Sequence, residues 1–262
     1  MSLDLILPLV FLSWLILANW IAKRADKPSA RLSPSDILSA VVVGVGALLV
    51  ASLIPSLNWI PGLAFSLSAS LSLLLTGELL IPQLATFLPL LFLISTIWPR
   101  WWLLSVLVGL AVIGPALLLA SSLSLDQAIP ILVSLATLDL ALVFSGTSPQ
   151  LATELSSIPI ALITPAWPSP GWVGLGAGDL LVSAWLLYLS QGRIDSRITI
   201  LALSLGVWIA ELTALNFSRP IPALPFLVAS WLVALIYFNR HRAFSLIFGR
   251  PKTHDAAPAL PE

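Results

Sequence analysis

Apolar stretches long enough to cross a lipid bilayer recur along almost the whole chain, and this leaves few architectures open. A helix needs about 20 predominantly apolar residues to span the hydrocarbon core. Nine candidate stretches meet or approach that length: 3–22, 37–55, 60–77, 79–98, 101–120, 128–145, 172–190, 198–216 and 221–238. The third and fourth are joined at Thr76-Gly77-Glu78 with almost no loop, and Pro82 and Pro89 interrupt the fourth. The first has no basic residue ahead of it and is longer than a typical cleaved signal segment, so it is expected to remain in the mature protein. Charge leads to the same conclusion. The chain is 58% hydrophobic and 9% charged, against roughly 25% charged in soluble domains. Twelve Lys+Arg and twelve Asp+Glu in 262 residues cannot coat a water-facing surface. The expected class is all-α: a polytopic membrane protein of nine transmembrane helices, with a short extended segment before the seventh. The chain reads as one membrane domain, with five N-terminal spans over 1–127, four over 128–238 and a cytoplasmic, partly disordered tail over 239–262.

The positions of the basic residues test the count. Lys23, Arg24, Lys27 and Arg31 follow the first stretch, Arg193 and Arg197 lie between the seventh and eighth, and Arg240, Arg242, Arg250 and Lys252 follow the ninth. Nine spans place all of these on one side of the membrane and only Arg100 and Arg219 on the other, whereas eight would split the clusters. The positive-inside rule then predicts an N-terminus outside and a C-terminal tail in the cytoplasm. Formal net charge is zero, so nothing indicates a nucleic-acid surface. There is no cysteine, which excludes disulfides, thiolate metal sites and cysteine nucleophiles. Both histidines, His241 and His254, fall in the last 22 residues, which argues against a histidine-based triad or a buried histidine-ligated zinc. No metal or bound cofactor is expected.

The chemistry therefore has to come from the few polar groups within the spans. An acid at membrane depth is costly and is a functional candidate by default. Asp139 sits mid-stretch in Leu138-Asp139-Leu140, Asp179 in Gly174-Leu175-Gly176-Ala177-Gly178-Asp179, Glu211 in the eighth stretch, and Glu78 at the junction of the third and fourth. Glu211 and Glu78 read more simply as a protonated interhelical hydrogen-bonder and a headgroup-level turn. Gly176 and Gly178 remove side-chain bulk just ahead of Asp179, so that a backbone or a substrate can approach it. Pro222-Ala223-Leu224-Pro225 opens the ninth stretch. Two prolines three apart prevent a regular helix, and such backbone is tolerated only against protein or a water-filled cavity. The same four residues recur at Pro258-Ala259-Leu260-Pro261 in the tail, where no span follows, and that copy is taken as coincidence. Between the sixth and seventh stretches, Ile158-Pro159-Ile160-Ala161-Leu162-Ile163-Thr164-Pro165 is apolar, β-branched and bounded by prolines. It is expected to be extended and to lie near the external face.

An Asp in the sixth stretch, Gly-x-Gly-Asp in the seventh and Pro-Ala-Leu opening the ninth occur in that order. The combination resembles the GxGD intramembrane aspartyl proteases, the presenilin and signal peptide peptidase family. The motifs cover residues 128–230, and the nine-span count extends the likeness over the chain. The resemblance implies that Asp139 and Asp179 are the catalytic pair and that Gly176 and Gly178 are the motif glycines. It implies that Pro222, Ala223, Leu224 and Pro225 form a loop beside the active site, and that Ile160, Ala161, Leu162 and Ile163 pair with an unwound substrate strand. The predicted topology is similar to that of signal peptide peptidases and opposite to that of presenilins. The family usually has Tyr before the first Asp; Leu138 stands here and removes a phenolic hydrogen-bond partner. The short chain without large loops is similar to a compact microbial homologue in a cell membrane.

Elementary chemistry is consistent with such a role. Two carboxyl groups held close in a low-dielectric site cannot both ionise easily, and so share one proton. The charged member can deprotonate a water while the neutral one donates to a peptide carbonyl. The expected partners are transmembrane peptide or protein substrates, remnant signal peptides among them, within the lipid bilayer. The residues leave other readings open. Asp139, Asp179 and Glu211 would also suit the relay of a proton-coupled transporter, although no internal duplication is apparent. A prepilin-type peptidase shares the Gly-x-Gly-Asp, but Leu180 and Leu181 stand where its following Lys would be. An inactive homologue that binds membrane helices is a further alternative, for which Leu138 is the one hint.

Overall fold

The computed structural model describes residues 6–24, 70, 72–73, 87–97, 101–145, 161–165, 172–217 and 221–238. The second stretch (37–55), most of the third (60–77), Glu78, Ile160 and the tail lie outside the described residues. The helices are α1 (Ile6–Arg24), α2 (Phe87–Ile97), α3 (Trp101–Ala111), α4 (Ile113–Ser122) and α5 (Leu125–Phe144). Two strands follow, β1 (Ala161–Pro165) and β2 (Trp172–Gly176), then α6 (Ala177–Leu189), α7 (Ser196–Phe217) and α8 (Leu224–Phe238). Among the described residues, four apolar segments are long enough to cross a membrane: Ile6–Arg24, Ser105–Ser122, Leu125–Phe144 and Ser196–Phe217. Ala177–Leu189 and Leu224–Phe238 are apolar but shorter.

Local sequence explains where these elements begin and break. The fifth stretch, expected as one helix over 101–120, is interrupted at Val112. Pro115 has no N–H to give the carbonyl of Ala111, and its ring crowds that carbonyl. Regular bonding resumes when Ala116 N–H donates to Val112 O at 3.1 Å. The next helix starts at Leu125, three residues ahead of the expected 128, because Ser124 and Gln127 close its end. The Ser124 backbone N–H and hydroxyl both donate to Gln127 Oε1 at 3.1 Å, a Ser-x-x-Gln start signal. At the end of α1, the Arg24 guanidinium lies 3.9 Å from the centre of the Trp20 ring. That cation–π contact pairs two side chains typical of a membrane interface.

The seventh stretch corrects the sequence reading most. A continuous helix was expected over 172–190, but 172–176 is strand, and helix begins only at Ala177. Gly174 and Gly176 weaken helix here, and the backbone is satisfied instead by pairing with β1. The pairing is antiparallel, with Ala161 opposite Gly176, Ile163 opposite Gly174 and Pro165 opposite Trp172. Gly176, at φ −62 and ψ 152, turns the chain from strand into helix.

The core is a helical assembly around α6. Leu180, Ala184, Leu186 and Leu187 of α6 are fully buried, and α6 packs on α1, α4, α7 and α8. Among the described helices, α7 and α8 share the most extensive packing, and α8 also lies against α5. Gly206 makes the α7–α8 approach possible. A Cβ there would stand 2.6 Å from Ser230 Oγ, 2.9 Å from the Phe226 carbonyl oxygen and 3.1 Å from Leu227 Cα.

Candidate active site

Both shortened helices start at the site. With a rise of about 1.5 Å per residue, the 13 residues of α6 and the 15 of α8 cover roughly 20 Å and 22 Å. The hydrocarbon core is about 30 Å thick. Each is therefore shorter than that core is thick. Asp179 lies in the first turn of α6, Leu224 is the first residue of α8, and Asp139 lies within α5, five residues before its last.

Asp179 folds back over the turn from which its helix grows. Its carboxyl Oδ2 lies 3.3 Å from where a Cβ on Gly176 would sit, and the Gly176 backbone N–H reaches the same carboxyl group. Its own carbonyl accepts the Ser183 hydroxyl at 2.7 Å. The two motif glycines thus differ. A Cβ on Gly176 would press on the carboxyl group, which would have to give by a few tenths of an ångström. Gly178 is exposed, and a Cβ added there meets nothing within 4 Å.

Asp139 comes to the site from another helix. It is half-buried, and the backbone N–H of Leu224 is directed at its carboxyl group. The start of α8 accounts for that amide. The first N–H groups of a helix have no partner within it. Phe226 and Leu227 N–H both donate to the Ala223 carbonyl at 3.1 Å, Pro225 has no N–H, and the Leu224 N–H remains for Asp139. Pro222 is buried just ahead, with Ala223 and Pro225 half-buried. The carboxyl groups of Asp139 and Asp179 are close enough for the charge on one to act on the other.

Of the four acids singled out from the sequence, the structure brings Asp139 and Asp179 together. Glu211 is buried in α7, 8% exposed, and Glu78 lies outside the described residues. Ala161, Leu162 and Ile163 are extended as expected, in β1, and Ile160 lies outside the described residues. One edge of β1 is already used, by β2, and the strand runs beside α1 and α3. The sequence reading missed β2 and the roles of the Gly176 and Leu224 amides. Val173-Gly174-Leu175-Gly176, poor in strong helix formers, was the available signal for the strand.

Fold and site together define a mostly helical integral membrane protein with two carboxyl groups near the starts of two short apolar helices. No protein-family model matches the sequence, and no curated protein matches it. Among solved structures, the chain is similar to a presenilin family intramembrane aspartate protease, with a TM-score of 0.55 at 15% sequence identity. The likeness covers 90% of this chain and 95% of that one, so it concerns the whole fold.

Proposed function

We propose that the protein is an intramembrane aspartyl protease of the GxGD type, with Asp139 and Asp179 as its catalytic pair. The observation that carries this reading is the convergence of those two carboxyl groups at the broken starts of α6 and α8. The presenilin-like fold supports it. In the proposed reaction the pair holds one proton. The ionised carboxylate takes a proton from water, the water oxygen bonds to the peptide carbonyl carbon, and the neutral carboxyl protonates the carbonyl oxygen. The gem-diol then collapses, the C–N bond breaks, and the nitrogen leaves protonated as an amine. The Leu224 amide holds Asp139, and the Gly176 amide holds Asp179.

A transmembrane substrate hides its peptide bonds inside a helix, and an extended stretch must be offered other partners. We assign that task to the β1–β2 ribbon, whose second strand leads directly into the Asp179 helix. The open side of Gly178 is the proposed approach for the scissile bond. The substrates are transmembrane segments, remnant signal peptides included, and the basic-residue pattern favours those inserted with the N-terminus in the cytoplasm.

The test is purified protein in liposomes with a model transmembrane substrate, its products mapped by mass. Cleavage within the apolar segment is expected; proton-coupled flux without cleavage would overturn the reading. Two variant pairs sharpen it. Pro222→Ala frees the backbone angle that proline fixes just ahead of α8, and so loosens the turn that presents the Leu224 N–H to Asp139. Cleavage should fall about tenfold or more, while Pro258→Ala in the tail leaves it unchanged; equal effects would remove the distinction between the two copies. Gly176→Ala presses on the Asp179 carboxyl and should slow cleavage about tenfold. Gly178→Ala should unfold no more readily than wild type, since Ala favours helix by about 1 kcal/mol over Gly. A fully active Gly176→Ala protein would count against the proposed role of that contact.

A further inference from the structure

The two helices that begin at the site are also tied together at the far end of α6. Trp231 of α8 is fully buried, and its indole N–H donates to Ser190 Oγ at 2.7 Å. Ser190 is the C-cap of α6, 1% exposed, and its hydroxyl donates onward to the Leu186 carbonyl at 2.7 Å. The backbone of Ser190 is equally committed. Its N–H donates to Leu186 O at 3.1 Å, and its carbonyl accepts Arg193 and Ile194 N–H at 3.0 Å. The tryptophan therefore grips the one residue at which α6 ends and the turn towards α7 begins.

A helix is stiff along its axis, so a contact at one end sets the height of the other. Ser190 is eleven residues from Asp179 and Trp231 seven from Leu224, about 16 Å and 10 Å along their helices. Fixing Ser190 against Trp231 fixes how far α8 can slide or turn relative to α6, and hence where the Leu224 amide stands relative to Asp179. That amide is directed at Asp139, and α8 packs on α5 as well as on α6. We infer that the Trp231–Ser190 hydrogen bond is a positioning device that sets the separation of Asp139 and Asp179 from the far end of α6 and the middle of α8. The inference rests on the protease reading for its effect on rate, but its geometric content does not.

Trp231→Phe removes the indole N–H together with part of the ring system, a loss of volume that the control below shares; Ser190→Ala removes the acceptor without touching the ring, and Ser190→Thr restores it. Trp14→Phe is the matched control. Trp14 is also buried, and its N–H donates to the Gly109 carbonyl at 3.0 Å, between α1 and α3. Trp231→Phe and Ser190→Ala should each lower kcat about tenfold with KM within twofold. The double variant should be no slower than either, and Ser190→Thr should recover the rate. Trp14→Phe should keep kcat. The chain has no cysteine, so Ala177→Cys at the start of α6 with Ala223→Cys just ahead of α8 supplies the only thiols for a short bifunctional thiol reagent while both carboxyl groups are kept. Cross-linking should drop severalfold when Trp231→Phe is added and stay constant with Trp14→Phe. Unchanged kcat and cross-linking in Trp231→Phe, or equal losses in the Trp14 control, would overturn the inference. If wild type does not cleave at all, the protease reading fails, and the cross-linking comparison still decides the clamp.

Discussion

Asp139→Ala and Asp179→Ala should each abolish cleavage of a transmembrane substrate while leaving a folded protein. General acid–base groups contribute about 10²–10⁴-fold each, and among the described residues neither carboxyl group has a substitute of its own kind at the site. Losing one member removes both functions of the pair, because the remaining carboxyl group cannot deprotonate water and protonate the carbonyl at once. The double variant should therefore be scarcely slower than either single one. Stability should change little. Asp139→Ala leaves the Leu224 N–H without its acceptor, a loss on the order of 1–3 kcal/mol. Removing a carboxyl group from the interior also relieves its desolvation, which acts in the opposite direction. The measurement is product formation by mass in liposomes, beside thermal unfolding of the same preparations. Full activity in either variant would end the protease reading.

Gly206→Leu should have the largest structural effect. Even an alanine Cβ would sit 2.9 Å from the Phe226 carbonyl oxygen and 3.1 Å from Leu227 Cα. These are backbone atoms, which cannot swing aside as a side chain can, so α7 and α8 must move apart. Within a bilayer, close packing of small residues is a main source of helix association. Gly206→Ala should cost about 1–3 kcal/mol, the usual range for overpacking, and Gly206→Leu should lose the native pairing of α7 with α8. Displacing α8 carries the Leu224 amide away from Asp139, so activity should fall in both variants. Lowered thermal stability together with lowered cleavage is the expected result. A Gly206→Leu protein as stable and active as wild type would contradict the close approach of these helices.

Legibility from the sequence differed from residue to residue for identifiable reasons. Hydropathy is a property of consecutive residues, so the apolar helices α1, α5, α7 and α8 were readable without any knowledge of partners. Proline acts on its own neighbourhood too, and Pro222 with Pro225 marked the broken start of α8. The break at Val112 was locally encoded by Pro115 and was overlooked. Strand β2 was not readable in the same way. Its residues are apolar and adjoin a helix, and only pairing with β1 distinguishes them from that helix's first turns.

What the sequence determined by itself was the class of molecule and a short set of candidates. Too few charges to coat a soluble surface require a membrane, and an acid placed among apolar residues there demands an explanation. Asp139, Asp179 and Glu211 all met that description, and local sequence could rank them only by their neighbours. The tertiary structure decided which of them meet. Asp139 and Asp179 act on each other because α8 lies against both α5 and α6, and because the first amide of α8 is left over for Asp139. Contacts between distant residues depend on how helices stack, and stacking depends on surfaces such as Gly206 and the buried grip of Trp231 on Ser190. No run of consecutive residues encodes these, and so they became visible only in the folded chain.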